Sequence, residues 1–175
     1  MAHHRCRTAK GAVMFDPTTL TGLHTWISLL AIVIGIPVVL ALMRGERAGA
    51  GLTAAFLALA FLASATGFLF PFFGVKPSHV VGAIALVVLA VAAYALYGAR
   101  LAGSWHAVYA GSAVASLYFL VFVAVAQVFA KVPAFAALAP TQSEPPFAIV
   151  QAIVLLAFVI VGVRAVRARP GIVLA

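Results

Sequence analysis

Residues 17–43 read PTTLTGLHTWISLLAIVIGIPVVLALM, bounded by Asp16 on one side and Arg44 on the other. No charged side chain interrupts the stretch. A helix rises about 1.5 Å per residue and bilayer hydrocarbon is about 30 Å thick, so one crossing takes roughly 20 apolar residues. This stretch is long enough to cross once and too short to cross twice. It is continuously apolar rather than alternating, which argues against a strand of an outer-membrane barrel. Asp16-Pro17-Thr18-Thr19 supplies a start, a capping residue followed by a proline whose missing amide is not needed in the first turn. Pro37, close to Gly35, is expected to bend the helix.

The same arithmetic, carried outward, finds four more runs. They lie between Arg47 and Lys76, Lys76 and Arg100, Arg100 and Lys131, and Glu144 and Arg164. The whole chain is 66% hydrophobic and only 8% charged, with a mean hydropathy of +1.21. A soluble domain needs about a quarter of its residues charged, so this chain could not cover itself in water. The expected fold class is all-α: an integral membrane bundle of five transmembrane helices at about 18–43, 49–73, 78–99, 103–130 and 146–166. They form one domain, 17–168, between an amino-terminal tail, 1–16, and a carboxyl-terminal tail, 169–175.

Turns are expected at 44–47, 71–77 and 98–103, and an ordered or semi-ordered loop at 131–146, which carries Pro133, Pro140, Pro145 and Pro146. Small residues recur at four-residue spacing, as in Gly51 with Ala55, Ala60 with Ser64, Ala63 with Gly67, and Ala107 with Gly111 and Ala115. Such spacing favours close helix approach in lipid.

Charge sets the expected orientation. Five crossings put Arg44, Arg47, Arg100, Arg164, Arg167 and Arg169 on one side, with Glu46 as their only acidic companion. The opposite loops carry Lys76, Lys131 and Glu144. Positive-inside therefore predicts a cytoplasmic carboxyl terminus and an outside amino terminus. Arg5, Arg7 and Lys10 in the tail oppose this, and two readings accommodate them: translation from Met14, or a short disordered tail. No apolar segment precedes residue 17, so the tail is not read as a cleavable signal. The net charge of +8 sits at helix ends rather than in a patch with interleaved aromatics, so nucleic acid is not an expected partner. Lipid is.

Polar groups inside apolar runs are expensive and mark sites by default. His24, His79, Gln127 and Gln151, with Ser64 and Thr66, all fall at one shallow depth on the expected outer side. The loop Ala-Pro-Thr-Gln-Ser-Glu-Pro-Pro at 139–146 lies above them, with Lys76, Lys131 and Glu144 at the rim. His24, His79, Gln127, Gln151, Lys76 and Glu144 are thus the candidate ligand-binding residues. Two imidazoles on different helices suit a haem iron or a metal ion, or a quinone headgroup. The competing reading leaves the same residues in the headgroup region, satisfied by water and phosphate. His106 belongs to the opposite surface.

No Asp or Glu lies within a run, so an acidic proton relay is missing. Cys6 is the single cysteine, which excludes an intramolecular disulfide and a cysteine metal cage. No catalytic motif stands on one side of the membrane. The segments FDPTTLTGLHTW at 15–26, PSHVVG at 77–82 and APTQSEPPF at 139–147 resemble those of a family of small bacterial inner-membrane proteins. The resemblance runs from Phe15 to the last helix and implies topology and bacterial origin, with no activity or catalytic residues.

The expected function is a non-enzymatic protein of the bacterial inner membrane, an accessory or assembly component of a membrane complex or a homo-oligomer. The alternative is a haem-, metal- or quinone-binding redox protein. A small-solute permease or channel comes third, since no inverted repeat is evident.

Overall fold

The computed structural model describes residues 16–69 and 77–168, with backbone only at 77 and 78. The chain is all-helical across these residues. Helix α1 is Leu20–Met43, α2 Ala50–Gly67, and α3 Pro77–Ala93, prolonged by a π-helical turn at Tyr94–Gly98. Then come α4, Trp105–Lys131, the short α5, Pro133–Leu138, and α6, Pro145–Arg167. Five segments are long and apolar enough to cross a membrane: Leu20–Met43, Ala50–Gly67, His79–Gly98, Trp105–Lys131 and Pro145–Arg167.

Local chemistry explains the boundaries. Helix α1 starts later than the Asp-Pro pair implies. Thr19 is the cap, in extended backbone, and its Oγ1 accepts the Gly22 amide at 3.0 Å. Asp16 is occupied elsewhere: its Oδ1 accepts the Thr18 amide and hydroxyl at 3.0 and 2.7 Å, and its carbonyl accepts the Thr19 hydroxyl. These hydrogen bonds from Thr18 hold the exposed Asp16 carboxyl below its ordinary pKa. Gly22 permits the turn, because a Cβ there would fall 1.9 Å from the Asp16 carbonyl oxygen. Pro37 stays within an unbroken α1.

Helix α2 stops at Gly67, short of the expected 73, and Phe68 and Leu69 close it with tight bonds to Ala65 and Thr66. Residues 70–76, which hold most of the turn expected at 71–77, lie outside the described residues. The loop at 131–146 contains a helix that the proline count concealed. Pro133 occupies the first turn of α5, where no amide is required.

Helix α4 is the central column. It packs against α1, α2, α3 and α6, which follow one another around it in the order α6, α1, α2, α3. At mid-height Gly35 of α1 lets Phe56 of α2 and Leu117 of α4 meet. A Cβ on Gly35 would lie 2.6 Å from Phe56 Cε2 and 2.9 Å from Leu117 Cδ1. Phe56, Val38, Ala60, Ala92, Ala113 and Leu117 form the heart of the core.

The small-residue spacing is used unevenly. Ala60 and Ala63 are buried, and Gly111 faces Val166 across the α4–α6 contact, but Gly51 faces open space. Outward, large apolar side chains such as Val33 (63% exposed), Val87 (64%) and Leu156 (62%) form the surface. That surface suits lipid rather than water. Hydroxyls in the helices bond back to their own turns, Ser28 to the His24 carbonyl and Ser116 to the Ser112 carbonyl, both at 2.8 Å.

Candidate functional site: a polar layer at the histidine end

One end of the bundle gathers the start of α1, the end of α2, the start of α3, the end of α4 and the start of α6. His24, one turn into α1, is half-buried, and its Nδ1 lies 2.8 Å from Thr66 Oγ1 on α2. The Thr66 hydroxyl also reaches back to its own helix, 2.7 Å from the Leu62 carbonyl and 3.2 Å from that of Ala63, so the imidazole is held against the last turn of α2 through Nδ1. The His24 ring also passes over Gly67, whose missing side chain makes room: Cε1 is 3.8 Å from where a Cβ would stand.

His79 is partly buried in the first turn of α3, its ring centroid 5.9 Å from that of Phe68. The Phe68 ring rests on Gly82. The last turn of α2 thus serves both histidines, Thr66 receiving His24 and Phe68 receiving His79.

On the other flank, α6 and the loop before it are each joined to α4 by a glutamine. Gln151 is buried, and its Nε2 donates to the Phe122 carbonyl at 3.1 Å, while its Oε1 has no hydrogen-bond partner. Gln142, in the loop above, donates its Nε2 to the Ala126 carbonyl at 2.7 Å. Phe122 and Ala126 are four residues apart on one face of α4, so the two amides stack one turn apart. Gln142 adopts a left-handed backbone, φ 60°, which aims it down at the helix. It went unrecognised as a contact because only its neighbours in the loop were conspicuous in sequence.

Glu144 is engaged within its own turn. Its carboxylate accepts the Thr141 amide at 3.1 Å, the Thr141 hydroxyl at 2.9 Å and the Ser143 amide at 3.1 Å. Desolvation pushes its carboxyl pKa up, but these hydrogen bonds outweigh it and hold the group below its ordinary value. Gln127 and Lys131 are exposed on α4, and Lys76 lies outside the described residues.

No protein family, curated protein or solved structure matches the chain. The chemistry of the layer therefore rests on its geometry. Among the described residues no group of three or more His, Cys, Asp or Glu side chains is placed to share a metal ion. What the layer offers is an imidazole oriented by Thr66, a buried amide oxygen, and hydrogen bonds that cross from helix to helix.

Proposed function

We propose that this chain is a non-enzymatic, multi-pass protein of a bacterial inner membrane, an accessory or assembly component of a larger membrane complex. The observation that carries this reading is how the polar layer is used. His24 binds α2, Gln151 and Gln142 bind α4, and Glu144 closes its own turn. In a bilayer, where apolar burial does not draw helices together, such bonds act as cement between them. The outer flank of α6 adds support. Ile149, Ile153, Leu156, Ile160 and Val163 recur at helical spacing and are 43–62% exposed, a stripe suited to a neighbouring transmembrane helix or to lipid. The resemblance of three segments to small bacterial inner-membrane proteins supports the location, and Arg44, Arg47, Arg100, Arg164 and Arg167, gathered at one end among the described residues, support a cytoplasmic carboxyl terminus.

A redox role is the second reading, favoured by the way Thr66 holds the His24 ring. Metal-bound imidazoles almost always hydrogen-bond a neighbouring group through their other nitrogen, and Thr66 Oγ1 stands 2.8 Å from Nδ1.

Purification of the full chain in mild detergent from its own membranes separates the two. The accessory reading predicts a colourless protein, free of stoichiometric metal and quinone. It also predicts native mass spectra of an assembly with another membrane polypeptide, lost in Ile153→Trp. A Soret band, metal or quinone that disappears in His24→Ala contradicts it and establishes the redox reading. A lone 18.1 kDa species contradicts the accessory role.

A further inference from the structure

The opposite end of the bundle holds two cavities with one shared wall. The first, of about 530 Å³, is lined by Arg47, Arg100, Gly103, His106 and Arg167 among others. The second, of about 420 Å³, has apolar walls from Val38, Leu42 and Leu96, with Thr53, Tyr97 and Tyr109 alongside. Arg47 lines both.

The three guanidiniums arrive from separate parts of the chain. Arg47 comes from the α1–α2 turn, Arg100 from the turn after α3, and Arg167 from the last residue of α6. His106, in the first turn of α4, adds a ring nitrogen. The chain has three acidic residues; Asp16 and Glu144 are at the other end, leaving only Glu46, which is exposed. Among the described residues, one carboxylate against Arg44, Arg47, Arg100, Arg164 and Arg167 leaves this end with an excess of positive charge.

The turn carrying Arg100 is also unusual. Arg100 and Leu101 are both left-handed, φ 52° and 59°, followed by Gly103 at 53°. Non-glycine residues rarely take this conformation, let alone two in succession. The Leu101 amide is tied to the Ala95 carbonyl at 3.0 Å, and its side chain packs against the core. The fold thereby fixes Arg100 at the cavity wall.

We propose that this end binds one anionic phospholipid, its phosphate in the arginine cavity and part of an acyl chain in the apolar one. Guanidinium groups match phosphate oxygens in pairs, and basic pockets between helix ends are the usual seats of anionic headgroups. The cavities lie where the spans end, which in a bilayer is the level of the headgroups, and their lining changes from charged to largely apolar across Arg47 as a phospholipid's polarity does across its glycerol.

Trp105, beside His106, is a built-in reporter. A Trp26→Phe background leaves it as the only tryptophan. Its quenching by brominated phosphatidylglycerol is compared with that by brominated phosphatidylcholine in mixed micelles of the full chain. The expected result is a preference of about tenfold or more for the anionic lipid. Arg100→Gln and Arg167→Gln should each reduce it about fivefold, and Arg100→Lys less. Arg44→Gln and Arg164→Gln, exposed at the same end but outside the cavity walls, should leave it within about twofold. Helicity and elution volume verify that each variant is folded. Equal loss in Arg44→Gln and Arg100→Gln would overturn the proposal, because the arginines would then act only as diffuse topological charge. Equal quenching by both lipids would overturn it as well. So would displacement of the anionic lipid by millimolar inorganic phosphate, which would make the cavity a site for the free anion.

Discussion

His24 and Thr66 are 42 residues apart and joined by one hydrogen bond, between Nδ1 and Oγ1 at 2.8 Å. The bond orients the imidazole ring and ties α1 to α2. The histidine is thus oriented by its helix neighbour before any ligand is considered. Gln142 and Gln151 play the same part between the α6 side and α4.

Mid-bundle packing makes a sharp prediction about two glycines. Gly35→Ala puts a methyl group into Phe56 and Leu117, both buried, and should cost about 1–3 kcal/mol. Gly51→Ala meets nothing within 4 Å and should be neutral or stabilise by up to about 1 kcal/mol. Thermal melts in detergent compare them. Equal destabilisation would contradict the packing described.

Gln151 should tolerate leucine better than alanine. Leucine gives up the bond to Phe122 but also removes the unpartnered Oε1, so Gln151→Leu should stay within about 1 kcal/mol of the parent. Gln151→Ala opens a cavity against α4 and should cost about 2 kcal/mol or more. If leucine proves the worse of the two, the Oε1 has a stabilising partner in the membrane.

The turn at 141–144 should loosen in acid. The Glu144 carboxyl is held below its ordinary pKa in the fold, so its stabilising effect is full above the unfolded value and is lost as pH falls through the folded one. Exchange protection of the Thr141 amide, corrected for intrinsic rate, should hold at neutral pH and fall only as pH drops below the ordinary glutamate range. Glu144→Gln should show the weakened protection at pH 7. Protection that persists in the variant would remove Glu144 from the turn's support.

Orientation is checked by labelling. In a Cys6→Ser background, cysteines replace Ser143 and Ala102, exposed at opposite ends of the bundle. A membrane-impermeant maleimide should reach residue 143 in cells with a permeabilised outer membrane, and residue 102 only after lysis. The reverse pattern would invert the topology.

The helices were legible because lipid imposes one length on every crossing, and charges at 16, 44, 47, 76, 100, 131, 144 and 164 mark the limits. The cap of α1 was less so, since Asp16 resembles a cap but is taken by Thr18. The short α5 was hidden because Pro133 breaks one helix and opens the next. Composition put His24, Thr66 and Gln151 in one layer, but pairwise bonds depend on helix rotation, which near-uniform apolar runs do not encode. The arginine cavity was invisible for the same reason. Arg47, Arg100 and Arg167 read as three separate topology signals until the turn at 100–103 brings them round one space.

The most direct test of the structural role assigned to the polar layer is a double-mutant cycle with His24→Ala and Thr66→Val. The account predicts that the two changes are coupled by about 0.6 kcal/mol, and by no more than about 1.7, in unfolding from detergent micelles, the average and the maximum found for hydrogen bonds between membrane helices. Strict additivity, with each loss unaffected by the other, would contradict it and leave His24 to a role outside the bundle's own packing.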